Sequence, residues 1–152
     1  MPLKIKINGF EKMLEHIQEA GKDVDTAAAQ AIKDSASIVE TELKASCAAS
    51  NVPDSITREI RKKTSASAGT YSAEVGWELG AYNPKNPSTG YKAIFLNYGT
   101  VRRQTARGKN RGAIEKKPPT QQFIVRAKKA AKPKIRKAQQ RIIEKVKGDI
   151  GK

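Results

Sequence analysis

The densest group of reactive side chains in the sequence is a run of cations between Val101 and Lys117. It holds seven basic residues and one acid, Glu115, within 17 positions. The seven cations are Arg102, Arg103, Arg107, Lys109, Arg111, Lys116 and Lys117. Guanidinium and ammonium groups so close together repel one another, and phosphate or carboxylate groups relieve that repulsion. We therefore predict that these cations contact a partner protein or DNA phosphates; a merely solvated loop is the alternative.

The charge of the whole chain is also divided unevenly. Residues 1–76 hold 10 Lys/Arg against 11 Asp/Glu, a net charge of −1, whereas residues 77–152 hold 20 against 4, a net charge of +16. A cationic half of this kind attracts a polyanion or an acidic protein surface. The run 101–117 has no aromatic residue to stack on bases, so any DNA contact is expected to be through phosphates and blind to sequence.

The sequence offers no group of residues suited to catalysis or to metal binding. The four acids of the second half are scattered: Glu78, Glu115, Glu144 and Asp149. No GxxxxGK[ST], GxGxxG, GxSxG or HExxH motif is present, and His16 and Cys47 are the only His and Cys residues. One His and one Cys cannot build a disulfide or the usual four-ligand zinc site. We therefore predict a protein that is not an enzyme and that needs no cofactor.

Hydrophobic periodicity predicts the elements that position the cationic run. Alternating apolar residues over 3–7 predict a short strand, and a helical stripe predicts a first helix over 9–20. A second helix, rich in alanine, is expected from Asp23 to Ala49. Residues 55–64 give a weak strand signal amid charges.

Residues 70–79 give a much clearer strand signal. Their inward face holds Tyr71, Ala73, Val75, Trp77 and Leu79. With 55–64 this strand is expected to form a hairpin through the polar connection 65–69.

Two long loops and a final helix complete the predicted domain, which spans 1–152 as a single unit. A Pro/Gly/Asn loop covers 80–92, residues 94–98 return to the core as a short helix or strand, and the basic loop covers 101–118. Tyr98, Gly99 and Thr100 are expected to form the sharp turn that fixes where the basic loop begins. A helix is predicted over 120–150, with a kink or break near 131–132 caused by Pro133.

These elements predict an α+β fold: a small antiparallel sheet packed against a long alanine-rich helix and a C-terminal helix, with long surface loops. No apolar run approaches the roughly 20 residues that cross a bilayer. The first residues also lack the apolar core of a signal peptide. We expect a soluble protein with no membrane partner.

Five short stretches occur in an order that is typical of one protein family. They are Asn8-Gly9-Phe10, the alanine-rich helix, Pro53-Asp54-Ser55-Ile56, the segment AIFLNYGT from Ala93 to Thr100, and the segment PTQQFIVRA from Pro119 to Ala127. Together they resemble the small tail-component proteins of long-tailed siphophages and prophages, which are called neck, head-tail joining, tail-completion or minor tail proteins. The family commonly has an acidic residue where this chain has Asn97, and a shorter loop before the proline.

The resemblance implies a structural protein of the virion. It implies a place in the neck or upper tail, where the chain joins head and tail or completes the tail. It also implies a ring, of six copies in the virion, around the channel through which DNA leaves the head. The implied partners are further copies of the chain, neighbouring neck or tail proteins and the DNA backbone. Assembly would take place in the host cytoplasm.

The main alternative is a sequence-independent nucleic-acid-binding protein that uses the cationic half as its working surface. The long basic loop, which exceeds the usual family length, is interpreted as this chain's own variation.

Overall fold

A computed structural model describes residues 4–7, 10–19, 24–67, 70–100, 103–104, 110–111 and 113–148 of the chain. In chain order the elements are β1 (Lys4–Ile7), α1 (Glu11–Glu19), α2 (Val24–Ala49), α3 (Asp54–Thr57), β2 (Arg61–Ser67), β3 (Thr70–Gly76), α4 (Thr89–Tyr98), β4 (Arg103–Gln104), β5 (Asn110–Arg111), a 3-10 turn (Pro119–Gln121) and α5 (Phe123–Gly148). The fold is α+β, as predicted: a three-stranded antiparallel sheet packs against two long helices.

The sheet has β3 at its centre and β1 and β2 at its edges. The register places Ile5 opposite Val75 and Ile7 opposite Ala73. All four side chains are buried, and the sheet packs against α2. The opposite face is charged, since Glu74 lies 3.4–3.5 Å from the amines of Lys4 and Lys6. The period-two pattern of the sequence therefore identified the buried face correctly.

Helices α2 and α5 pack against each other in opposite directions. The Ser46 hydroxyl on α2 donates a 2.8 Å hydrogen bond to the carbonyl oxygen of Phe123 at the start of α5. One helical turn earlier on α2, Glu42 forms an ion pair with Lys134, further along α5. Small buried residues on both helices permit close packing: Ala28, Ala31 and Ala36 on α2, and Ala127 and Ala131 on α5. The alanine-rich helix α2 therefore packs closely against helix α5 as well as against the sheet.

The strand predicted over 55–64 is wrong in its first half. Pro53 has φ −56° and is followed by the four-residue helix α3, whose Ile56 and Thr57 N–H groups donate to the Pro53 carbonyl at 2.9 and 3.1 Å. β2 begins only at Arg61 and extends to Ser67, so residues 65–67 belong to the strand and not to the connection. The fixed φ of proline favours a helical start and explains the difference.

The predicted end of the second strand and the predicted end of the loop after it also change. β3 ends at Gly76, so the alternation does not reach Leu79, which is 39% exposed. The loop that follows ends near Ser88, because α4 begins at Thr89. Residues 94–98, which were predicted as a short helix or strand, belong to this helix.

Of the kink or break predicted at 131–132, the break is wrong, since α5 is one helix that contains Pro133; the kink stays a prediction. Pro133 and Lys129 are both exposed. Water can therefore bond the Lys129 carbonyl that the proline leaves without an N–H partner. The helix continues because the proline lies on its solvated side.

Candidate functional site: the basic loop and its frame

The start and the end of the basic loop are joined by backbone hydrogen bonds. The Thr100 N–H donates to the Ile114 carbonyl oxygen at 3.0 Å. In return, the Ile114 N–H donates to the Thr100 hydroxyl oxygen, also at 3.0 Å. Both residues are half-buried. The loop is therefore closed at its base, and the segment between Thr100 and Ile114 leaves and rejoins the body at one point.

Gly99 shapes this closure. Its φ of 83° and ψ of 179° lie in a region that side-chain-bearing residues essentially never occupy. Its N–H donates to the Phe95 carbonyl at 2.8 Å and ends α4. A Cβ at this position would lie 2.8 Å from the Lys116 Cα and 2.9 Å from the Glu115 carbonyl oxygen. The absence of a side chain at Gly99 therefore leaves room for the segment of the loop that returns at Glu115 and Lys116.

Asn97, the next-to-last residue of α4, joins this frame to α5. Its side chain is fully buried, and its Oδ1 accepts a 3.0 Å hydrogen bond from the Ile124 N–H. That N–H lies in the first turn of α5, where backbone donors have no partner within the helix. Asn97 therefore acts as an N-terminal cap supplied by another helix. A polar residue inside the apolar run IFLNYG is the one signal of this role in the sequence, and it does not indicate the partner.

We expect Asn97→Ala to lower the free energy of unfolding by about 1–3 kcal/mol, because it leaves the buried Ile124 N–H without an acceptor. Urea denaturation followed by circular dichroism measures this loss. Asn86→Ala is the matched control, since Asn86 is exposed in the loop before α4, and it should change stability by less than about 0.5 kcal/mol. Equal stability of the two variants would contradict the capping role.

Two aromatic rings fix the first turn of α5 to the rest of the core. Trp77 and Phe123 are both fully buried, and their ring centroids lie 6.1 Å apart in an edge-to-face arrangement at 77°. The Trp77 indole N–H donates to the Ile56 carbonyl at 2.7 Å. The core position predicted for Trp77 is therefore confirmed. This contact also brings α3, the end of β3 and α5 together at the base of the loop.

The seven predicted contact residues are only partly described. Arg103 and Arg111 lie opposite each other in the short β4–β5 ladder. Lys116 is exposed and Lys117 half-buried on the returning segment. Arg102, Arg107 and Lys109 lie outside the described residues.

The titratable groups of the described residues give no sign of catalysis. Burial raises the pKa of the Cys47 thiol to about 11, against a weaker lowering by a hydrogen bond with Thr57. Burial also raises the pKa of Tyr98. Within the described part of the chain, no three His, Cys, Asp or Glu residues gather where they could hold a metal ion. In the same part, no helix is long and apolar enough to cross a membrane.

Comparison with known proteins gives one match. The sequence profile described as "Bacteriophage HK97-gp10, putative tail-component" matches residues 11–99. This stretch is more than half of the 152 residues and runs from the start of α1 to Gly99. The basic loop and α5 lie beyond it. No curated protein and no solved structure matches the chain.

Proposed function

We propose a place in the virion for this chain, which belongs to the HK97 gp10-like family of bacteriophage tail components. As a tail component it is a structural virion protein that interacts with other tail proteins. Our proposal is that it lies in the neck or upper tail, where it joins head and tail or completes the tail. It would do so as a ring, of six copies, around the DNA channel, after assembly in the host cytoplasm.

The proposed ring is supported by the unlike surfaces of the folded chain. A closed ring needs two different, complementary faces on each subunit. Nine cations of α5 are exposed: Lys128, Lys129, Lys132, Lys134, Arg136, Lys137, Arg141, Lys145 and Lys147. The exposed acids Glu11 and Glu15 lie on α1 and form no ion pair within the described residues. One face of a subunit can therefore attract a different face of the next.

The closed basic loop is the observation that carries the joining role. Its base is fixed by the two hydrogen bonds between Thr100 and Ile114. We propose that Arg102, Arg103, Arg107, Lys109, Arg111, Lys116 and Lys117 contact a neighbouring subunit, an adjoining ring or DNA phosphates. A fixed base reduces the loop ordering that such a contact would cost.

Light scattering and negative-stain electron microscopy of the purified protein test the ring. We expect rings at high protein concentration, either alone or after mixing with neck and tail proteins of the same phage. A protein that stays monomeric in both conditions, and that never joins tail components, would contradict the proposal.

A four-arginine variant tests the loop. Replacing Arg102, Arg103, Arg107 and Arg111 by Gln should leave thermal stability almost unchanged, because the change removes charge and no apolar side chain. Incorporation into virions should fall by about tenfold or more, the effect of losing about 1.4 kcal/mol of contact free energy. The control removes the same charge from four exposed lysines elsewhere: Lys12, Lys33, Lys85 and Lys92. Equal incorporation of the two variants would exclude a contact role for the loop.

The same variant tests the alternative function, sequence-independent nucleic-acid binding. Submicromolar binding of the monomer to duplex DNA near physiological salt, with a steep salt dependence that the four-arginine variant loses, would favour that alternative. Weak binding without such a slope would favour the structural role.

A further inference from the structure

A groove of about 360 Å³ lies between β1 and α5. Its floor is apolar, formed in part by Ile7, Val39 and Ile135. Ile7 and Val39 are buried and Ile135 is half-buried. The floor offers space for an apolar side chain, which a site for DNA phosphates alone would not need.

One wall of the groove is the outer edge of β1. This strand is the edge strand of the sheet, with β3 on its inner side. Three consecutive residues of β1, Ile5, Lys6 and Ile7, line the groove. Because side chains alternate between the two faces of a sheet, a groove on one face would be lined only by alternate residues. The groove therefore lies along the strand edge, where β1 has no partner among the strands that the structure describes.

The opposite wall is a line of cations on α5. Lys128, Lys132 and Arg136 follow one another at steps of four residues, so they lie on one side of the helix and span about 12 Å. Four residues of β1 span about 13 Å. All three cations are exposed, and none makes an ion pair within the described residues. The unpaired cations and the unpaired strand edge therefore face the same groove over similar lengths.

The chemistry of the walls selects the occupant. The strand edge binds extended backbone, the floor binds apolar side chains, and the cations bind carboxylates. A second copy could offer one of its own strands to the groove. The candidate strands contain no acidic residue: RKKTSAS in β2, RQ in β4 and NR in β5. Their charge would be repelled by the three cations of α5. A second copy is therefore a poor occupant.

We infer that this groove binds an extended acidic segment of another tail protein, in which apolar and acidic residues alternate. The segment adds a strand to the free edge of β1, directs its apolar side chains to the floor and places its carboxylates against Lys128, Lys132 and Arg136. This inference rests on the proposed role among tail proteins and assigns one of the partner contacts to a specific surface.

A model peptide tests the inference. The probe is a fluorescent seven-residue peptide of alternating glutamate and valine, titrated with the full-length protein and followed by fluorescence anisotropy. We expect saturable binding. A peptide of alternating glutamate and proline keeps the charge but lacks an N–H at every second residue and resists pairing as a strand, so it should bind at least about tenfold more weakly. No binding of the valine peptide at about 1 mM, the limit of a weak specific contact, would overturn the inference, as would equal binding of the two peptides.

Two charge-reversal variants locate the binding surface. Lys132→Glu with Arg136→Glu changes the groove wall and should weaken peptide binding by about tenfold or more. Lys129→Glu with Lys137→Glu makes the same charge change at exposed positions of α5 that do not line the groove, and it should leave binding within about twofold. Equal weakening by the two variants would show general charge attraction and refute the groove.

The source of the binding anion is tested with duplex DNA. We expect that duplex DNA does not displace the bound peptide at moderate salt. If DNA does displace it, and if this displacement requires Lys132 and Arg136, the occupant of the groove is nucleic acid and not an acidic protein segment. These results do not depend on ring formation. A protein that binds the peptide but forms no ring would contradict the proposed function alone, whereas ring formation without peptide binding would contradict the groove alone.

Discussion

Trp77→Ala is expected to lower the free energy of unfolding by about 3–5 kcal/mol, the usual cost of removing a fully buried large aromatic side chain. The substitution removes the edge-to-face contact with Phe123 and leaves the Ile56 carbonyl without its indole donor. Because Trp77 is the only tryptophan, unfolding should be followed by circular dichroism in urea and not by intrinsic fluorescence.

Two comparison variants show whether the loss comes from this position. Trp77→Phe keeps an aromatic ring but removes the hydrogen bond, so it should lie between the wild type and Trp77→Ala. Tyr82→Ala removes an aromatic side chain that is 48% exposed, and it should cost at most about 1 kcal/mol. A cost for Trp77→Ala as small as that for Tyr82→Ala would mean that Trp77 does not hold α3 and α5 together.

Gly99→Ala is expected to cost about 2–5 kcal/mol, from a backbone conformation that only glycine adopts and from collision of the new Cβ with backbone. The colliding atoms belong to Glu115 and Lys116, on the returning side of the basic loop. Relief requires this segment to move, which would break the hydrogen bonds between Thr100 and Ile114. The variant should therefore be impaired in virion assembly as well as in stability, the latter measured by urea denaturation.

Gly80→Ala is the matched control for Gly99→Ala. Gly80 also has a positive φ, of 60°, but a Cβ there would have only the Ser88 Cβ within 4 Å, at 3.9 Å. Its expected cost is about 1–2 kcal/mol, from the left-handed backbone alone, with virion assembly retained. If both substitutions are tolerated equally well, the closed base of the loop does not depend on Gly99.

The long periodic elements could be predicted from the sequence because many residues contribute to each signal. The helix from Asp23 to Ala49 was placed within one residue of α2. The alternation of apolar residues over 70–79 identified Trp77 as a core residue. Short elements could not be predicted in this way. The spacing of Ile56 and Ile60 suits a strand or one turn of helix, and β4 and β5 have two residues each.

The frame of the candidate site was predicted at its turn but not at its cap. A Tyr-Gly-Thr sequence signals local backbone geometry, which depends on adjacent residues only. The Asn97 hydrogen bond instead joins residues 27 positions apart, and the sequence carries no local signal for such a partner. The predicted break at Pro133 failed for a related reason, because the cost of an interior proline depends on whether the freed carbonyl reaches water.

Because the basic loop is hydrogen-bonded at its base, its length and sequence can change without altering the packing of the rest of the protein. Thr100 and Ile114 join the two ends of the loop, and the family match ends beside them at Gly99. The closure entropy of a loop grows only slowly with its length, so a segment of different length or charge could be carried between the same two residues. The helices and the sheet that support this base would then stay the same.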